Sequence, residues 1–201
     1  MKVVVSREGD LTAEITPVAK VELAAFCPQT LDLPPEGAGE AVKPFEPSPL
    51  TGGAITMGPT DYMPVENHTF LKAVYTILLD SEKTEQNAHT NLKTTHRPHY
   101  DASRERHVKS MAEEVLLQNP RGEVTEGSIT TPYFYRSGRW VTPPVHEEHG
   151  GQRGTTRRWA LATGICVGEE VVRAESVEDG ERVWVSNGVR GFGWGIVARR
   201  Q

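Results

Sequence analysis

The 201-residue sequence predicts an α+β fold rich in antiparallel sheet. Three observations carry that expectation. Short runs of β-branched and aromatic residues recur between turn signals, as in VVVS, ITTPYFYR, WVTP and RVWVSN. Two longer segments, 97–118 and 155–166, carry helical signals instead. The chain is 37% hydrophobic and 24% charged, ordinary globular usage, and it is long enough to bury a core.

Taken in order, VVVS (3–6), the turn REGD (7–10) and LTAEI (11–15) read as a hairpin. LDLPPEGAGE (31–40), KPFEPSPLTGG (43–53) and MGPTDYMP (57–64) are extended or looped, because proline fixes φ and removes a donor. AVYTILL (73–79) is again a strand. RPHYDASRERHVKSMAEEVLLQ (97–118) reads as one helix. Pro98 suits its first turn, and Val108, Met111, Ala112, Val115 and Leu116 share a face. NPRGE (119–123) is a turn. ITTPYFYR (129–136), SGR (137–139) and WVTP (140–143) form a hairpin. TTRRWALATGIC (155–166) is a short helix with threonine available as N-cap. VVRAES (171–176), RVWVSN (182–187) and GWGIVAR (193–199) read as strands.

Composition divides the chain. Residues 1–92 carry 6 Lys+Arg against 13 Asp+Glu and 9 of the 14 prolines, whereas 93–201 carry 16 against 14. A partial small domain with a proline-rich interdomain segment (1–92) and a larger sheet-rich domain (93–201) are the expected units. A net charge of −5 argues against nucleic acid as the main partner, since phosphate binding needs a basic face. Cys27 and Cys166 are too few for a disulfide framework or a four-cysteine zinc site. A reducing, cytoplasmic setting and no membrane partner are expected: Arg7 and Glu8 interrupt any signal-peptide core, and no apolar run reaches membrane length.

Four places carry candidate chemistry. Lys93 lies between a strand and a helix. A lysine attacks a carbonyl only as the neutral amine, so it needs desolvated or cationic surroundings, and Arg97 supplies nearby positive charge. Glu126, in GEVTEGSIT, is the type of group that holds a protonated pyridine nitrogen. Gly154, Thr155 and Thr156 open a helix, whose free N–H groups suit phosphate. Ser186, Asn187 and Gly188 end a strand and could reach the other side of the same phosphate. Taken singly, each has a plain alternative: a solvated lysine, a surface glutamate, an N-capping threonine, a turn. His96/His99 and His146/His149 lack the HExxH order and a rigid helix, so no metal site is expected. No GxSxG elbow, P-loop or GxGxxG motif is present.

The order of these features is more specific than any one of them. Lys93 stands in KTTxRxxYDxxR, Glu126 follows 33 positions later in GxVTEGS, and then come WVTPP, a GxTR helix start and SNGVRGF. Over roughly 93–197 this resembles the fold type IV (class IV) pyridoxal-phosphate enzymes, the D-amino-acid aminotransferase-like fold. Within that class it is most similar to the 4-amino-4-deoxychorismate lyase group, including fungal members. Residues 1–92 resemble the family more loosely, in REGDLT and SPLTGGAITMGP.

The resemblance implies pyridoxal 5′-phosphate as cofactor, a small-molecule amino substrate and a homodimer. Lys93 would form the internal Schiff base and shuttle the substrate's α-proton. Glu126 would pair with the pyridine nitrogen. Thr155 and Thr156 would bind the phosphate, with Ser186 and Asn187 on its other side, and Arg97 would lie near the ring. The expected reaction releases pyruvate and 4-aminobenzoate from aminodeoxychorismate. The alternatives are transamination of D- or branched-chain amino acids, or a truncated scaffold without catalysis. The sequence departs from the family's pattern at Leu92, where a polar residue is usual, and at Thr130, where asparagine is common. The family's further small-domain stretch before the first hairpin, with an arginine for the phosphate, is missing from the sequence.

Overall fold

A computed structural model describes residues 2–14 and 75–199. The proline-rich segments at 31–64 lie outside the described residues. β1 (Lys2–Val5) and β2 (Leu11–Glu14) form the expected antiparallel hairpin, with Val4 opposite Thr12. Ser6 builds its turn: the Ser6 Oγ accepts from the amides of Glu8 and Asp10.

Eight further strands form one mixed sheet in the order β5-β4-β3-β10-β9-β6-β7-β8. These are β3 (Tyr75–Lys83), β4 (Glu113–Gln118), β5 (Val124–Gly127), β6 (Thr131–Arg136), β7 (Arg139–Thr142), β8 (Gly168–Glu169), β9 (Arg182–Asn187) and β10 (Gly191–Val197). The predicted hairpin β6–β7 and the pair β9–β10, read from the sequence only as separate strands, are both antiparallel, as their short turns require. β3 is different. It runs parallel to both neighbours, β4 and β10. The β3-to-β4 connection contains two helices, α1 (Ala88–Asn91) and α2 (Pro98–His107), which supply the crossover a parallel pair needs. The sheet thus reaches back past residue 93 to Tyr75.

The expected helix over 97–118 is corrected: it ends at His107, and 113–118 is strand β4. The Glu113 carboxylate accepts from the amides of Lys109 and Ser110 and so caps the bend between them. Met111, placed on the presumed apolar helix face, is 64% exposed, whereas Val115 and Leu116 are buried as strand residues. Four consecutive β4 residues, Glu114 to Leu117, are buried. A strand covered on both faces loses the alternation that would have marked it.

VVRAES is likewise corrected. It makes a single bridge, Arg173 to Glu123, and then a 3-10 turn at Ala174–Ser176. Arg173 donates to the Arg121 carbonyl and Ser176 to its own segment at Arg173, which ties the stretch to the 121–124 turn. The third helix, α3 (Thr155–Thr163), starts one residue after its N-cap, Gly154, so threonine is not the cap.

The core lies on both sides of the sheet, and strand alternation sorts residues between them. Val183 and Val185 of β9 join Ile77, Leu116, Phe134 and Val141 in one cluster. Trp184, between those valines, joins Tyr133, Trp140 and Ala160 of α3 in the other. Burial pushes the Cys166 thiol, inside this second cluster, up to about 12. Among the described residues no helix is long and apolar enough to cross a membrane.

Two acidic anchors hold the connections. Asp80 on β3 accepts from Nε and Nη2 of Arg106 at 2.8–3.2 Å and so docks the end of α2. Glu123 meets Arg121, Asn119 and His149, which joins its turn to the 146–150 loop. Burial opposes charge on both carboxyls, but the Arg106 bonds leave Asp80 below its ordinary range, and Arg121, Asn119 and His149 bring Glu123 down to about 2. A carboxyl lowered by folding stabilises the native state above its ordinary pKa and loses that effect as pH falls toward the lowered value. The melting temperature is therefore expected to drop between about pH 5 and pH 2. Glu123→Gln should flatten that limb at a cost of about 2 kcal/mol at neutral pH. Parallel slopes in a thermal melt series would show that Glu123 has no part in it.

Candidate active site

The site is gathered where β5, the start of α2, the start of α3 and the end of β9 meet. Glu126 sits in β5, whose four residues are all buried. Its Oε1 accepts the Tyr100 hydroxyl, and its Oε2 accepts the Gln152 amide at 3.2 Å. Gln152 Nε2 also donates to the Tyr100 hydroxyl at 3.3 Å. Gly150 and Gly151, both at φ 85°, let the loop turn sharply toward β5 and deliver Gln152. A Cβ at Gly151 would stand 3.4 Å from the Thr125 carbonyl oxygen. Burial raises the Glu126 carboxyl to about 7, against the partial pull of Tyr100, Gln152 and Arg97. The same burial, with Glu126 alongside, holds the Tyr100 hydroxyl firmly protonated.

Arg97 precedes α2, with Pro98 at the helix start as the sequence predicts. Its guanidinium lies 4.5 Å from the centre of the Tyr100 ring, and its Nη2 donates to the Ser128 carbonyl. Its Nε is buried without a partner among the described residues. Lys93 lies on the exposed segment joining α1 to α2, beside Leu92, which is 60% exposed. The segment is built by local polar bonds. Asn87 caps α1 and Thr90 returns the bond, while Thr94 Oγ1 donates to the His96 carbonyl.

Thr155 and Thr156 open α3, where no side chain caps the helix. The first-turn amides of a helix have no partner within it, so this end offers N–H donors and the positive end of the dipole. Ser186, on β9, donates to Thr156 Oγ1 at 2.9 Å and shares a 2.8 Å bond with the Tyr133 hydroxyl. The two predicted phosphate positions are thus joined hydroxyl to hydroxyl. Asn187 is committed to structure: its Oδ1 accepts from Val189 and Arg190 in the β9–β10 turn, and its Nδ2 donates to the Ile129 carbonyl.

The structure therefore links Arg97 with Glu126 through Tyr100, and Thr156 with Ser186. The Gly127–Thr130 turn between β5 and β6 runs between these two groups. Tyr100, Gln152, Ser128 and Tyr133 received no role from the sequence, although Tyr100 stands in the KTTxRxxYDxxR run. His146 and His149 face Glu169 and Glu123 respectively.

A buried acid held by Tyr100 and Gln152 thus lies on one side of the Gly127–Thr130 turn, and an uncapped helix end beside the Thr156 and Ser186 hydroxyls on the other; among the described residues no hydrogen bond or ion pair joins Lys93 to either. The chain belongs to the amino-transferase class IV family, whose pattern matches residues 49–194. It is 34% identical over 128 residues to the "Putative aminodeoxychorismate lyase" of Schizosaccharomyces pombe, a match covering 61% of this chain and 54% of that protein. The chain thus spans about half the length of that curated relative. Among solved structures, a "putative amino-acid aminotransferase" from Mesorhizobium loti is 26% identical, with a TM-score of 0.56 over 64% of this chain and 61% of that one. The "putative 4-amino-4-deoxychorismate lyase" of Legionella pneumophila shares the fold at 18% identity and a TM-score of 0.54, covering 62% and 47%. A "hypothetical aminotransferase" of Mycobacterium tuberculosis in its PLP-bound form shares it at 15% and 0.51, covering 64% and 49%.

Proposed function

We propose that this chain carries the pyridoxal-phosphate site of a class IV enzyme acting on a small amino compound. Its reaction would be the lyase conversion of 4-amino-4-deoxychorismate to 4-aminobenzoate and pyruvate. The observation that supports the cofactor most directly is the buried Glu126 carboxyl, directed by the Tyr100 hydroxyl and the Gln152 amide, which burial raises to about 7. Such an acid can give its proton to a pyridine nitrogen and then hold the resulting cation. The donor set fits the rest of the group. The free amides of α3 and the hydroxyls of Thr155, Thr156 and Ser186 suit a phosphate dianion, which helix N-termini bind readily. Bound there, the cofactor would draw electron density away from the substrate's α-carbon.

This chain's own residues would do the remainder. Lys93 Nζ would anchor the cofactor through its carbonyl carbon and carry the proton taken from the substrate's α-carbon. Tyr100, held between Glu126, Gln152 and Arg97, would fix the acid's direction. Arg97 would keep positive charge near the ring. Asn187 would act through the turn it braces. The lyase reading takes its support from the Schizosaccharomyces pombe relative. Transamination is the second reading, supported by the Mesorhizobium loti structure, the more identical of the three solved folds described above. A homodimer in the cytoplasm is the proposed working state.

The test is the visible absorption of the purified chain with pyridoxal phosphate, then borohydride reduction and peptide mapping. An absorption band with the reduced adduct on Lys93, lost in Lys93→Ala, is expected. Adducts scattered over other lysines would overturn the site. Aminodeoxychorismate assayed against D-alanine or a branched-chain amino acid with a keto acid then separates the two reactions.

A further inference from the structure

We propose that Glu114 is a positioning residue: from the strand behind the site it fixes the Gly127–Thr130 turn on which Glu126, Arg97 and Asn187 depend. Glu114 is the second residue of β4 and is fully buried. Its Oε1 accepts from the Ser128 amide at 3.1 Å, from Ser128 Oγ at 2.6 Å and from the Val115 amide at 2.8 Å. Its Oε2 accepts from Thr130 Oγ1 at 2.9 Å and the Ile129 amide at 3.3 Å. Arg104, on α2, donates to Ser128 Oγ at 2.6 Å and lies 3.7 Å from Glu114. A carboxylate only accepts, and every hydrogen-bonding group that meets it here donates. Buried charge is tolerated under that condition.

The turn held in this way serves the rest of the site. Its first residue follows Glu126 directly. The Ser128 carbonyl takes Arg97, and the Ile129 carbonyl takes Asn187 at 3.2 Å. Thr131, next in chain, pairs with Ser186 in the sheet. One acid therefore underlies the acid end, Arg97 at the start of α2 and the β9 end. The fit is close. A Cβ on Gly127 would lie 2.3 Å from Thr130 Oγ1 and 3.1 Å from the Glu114 carboxyl carbon. Thr130, in place of the family's usual asparagine, supplies one of the five donors.

The role in cofactor binding rests on the function proposed above, but the role in the turn does not, and the experiment separates them. Amide exchange is measured on the cofactor-free wild type and Glu114→Gln, with pyridoxal-phosphate titration alongside. Glutamine keeps the shape and turns an amide N–H toward groups that donate. Peptides covering the 127–130 turn should exchange about tenfold faster while β6 and β9 stay protected, and cofactor affinity should fall about tenfold. Unchanged exchange in the turn overturns the proposal. So does a loosened turn with unchanged affinity, which would leave Glu114 purely structural. Should Glu114→Gln fail to fold, Thr130→Val removes one donor and keeps the acid. About threefold effects are then expected in both readouts, and none would overturn the proposal. A wild type that takes up no cofactor defeats the proposed function, while exchange in the turn still decides whether Glu114 fixes it.

Discussion

If the chain acts as proposed, Glu126→Gln is expected to lower turnover about 10³-fold without unfolding it. An amide can neither give a proton to a ring nitrogen nor hold the cation that results. The cost of keeping the acid appears in stability. Folding raises the Glu126 carboxyl from an ordinary 4.5 to about 7, chiefly by burial. A group raised in this way favours the native state fully below about pH 4.5 and loses that effect as pH rises through about 7. The wild type should therefore lose melting temperature relative to Glu126→Gln between pH 5 and pH 8, with both chains cofactor-free. The glutamine side chain loses one acceptor facing Tyr100 or Gln152, which shifts the whole curve but not its slope. A constant difference across that range would show that Glu126 titrates as an ordinary exposed acid.

The second large effect is on the sheet. Gly195→Ala is expected to cost about 3 kcal/mol or more. Gly195 lies opposite Tyr75 in the parallel β3–β10 pair. An added Cβ would stand 2.4 Å from the Tyr75 carbonyl oxygen and 2.8–2.9 Å from two carbons of Ile77. A carbonyl inside a ladder cannot swing aside, so the strands themselves must part. Gly193→Ala is the control: its Cβ would approach only the edge of the Tyr75 ring, at 3.2 Å, and a side chain can give by a few tenths of an ångström. The control should cost under about 1 kcal/mol. Urea denaturation reads both, and equal midpoints would show that β3 and β10 are not packed as closely as described.

The hairpins were legible because alternation and short turns act locally. VVVS with LTAEI and ITTPYFYR with WVTP carry both signals, whereas RVWVSN and GWGIVAR read only as separate strands. β4 was not legible. AEEVLL is mostly good helix formers, with Val115 the exception, and the reason Glu114 is buried in a strand lies in Ser128, Ile129 and Thr130, which meet it only after folding. The parallel placement of β3 is equally non-local. For the proposed site, the order of Lys93, Arg97, Glu126, Thr156 and Ser186 along the chain was readable. The groups that aim them were not. Tyr100 looked like an ordinary helix residue and Gln152 like part of a glycine-rich loop. Their roles arise from Gly150 and Gly151, whose left-handed backbone brings Gln152 against β5.

The parallel seating of β3 against β10 also bears on how the fold is reached. Tyr75 and Gly195 come from nearly opposite ends of the 75–199 body, and β10 is hydrogen-bonded to β3 on one side and β9 on the other. The β9–β10 hairpin can close early, because its partners are neighbours in sequence. Its docking onto β3 requires almost the whole intervening chain to be drawn together first, an entropic cost incurred before the contact repays it. Until then, β3 and β10 each present an unpaired edge. The β3–β10 seam at the middle of the sheet is therefore expected to close late, and the interval before that closure is when the chain is most open to pairing with a neighbour instead of itself.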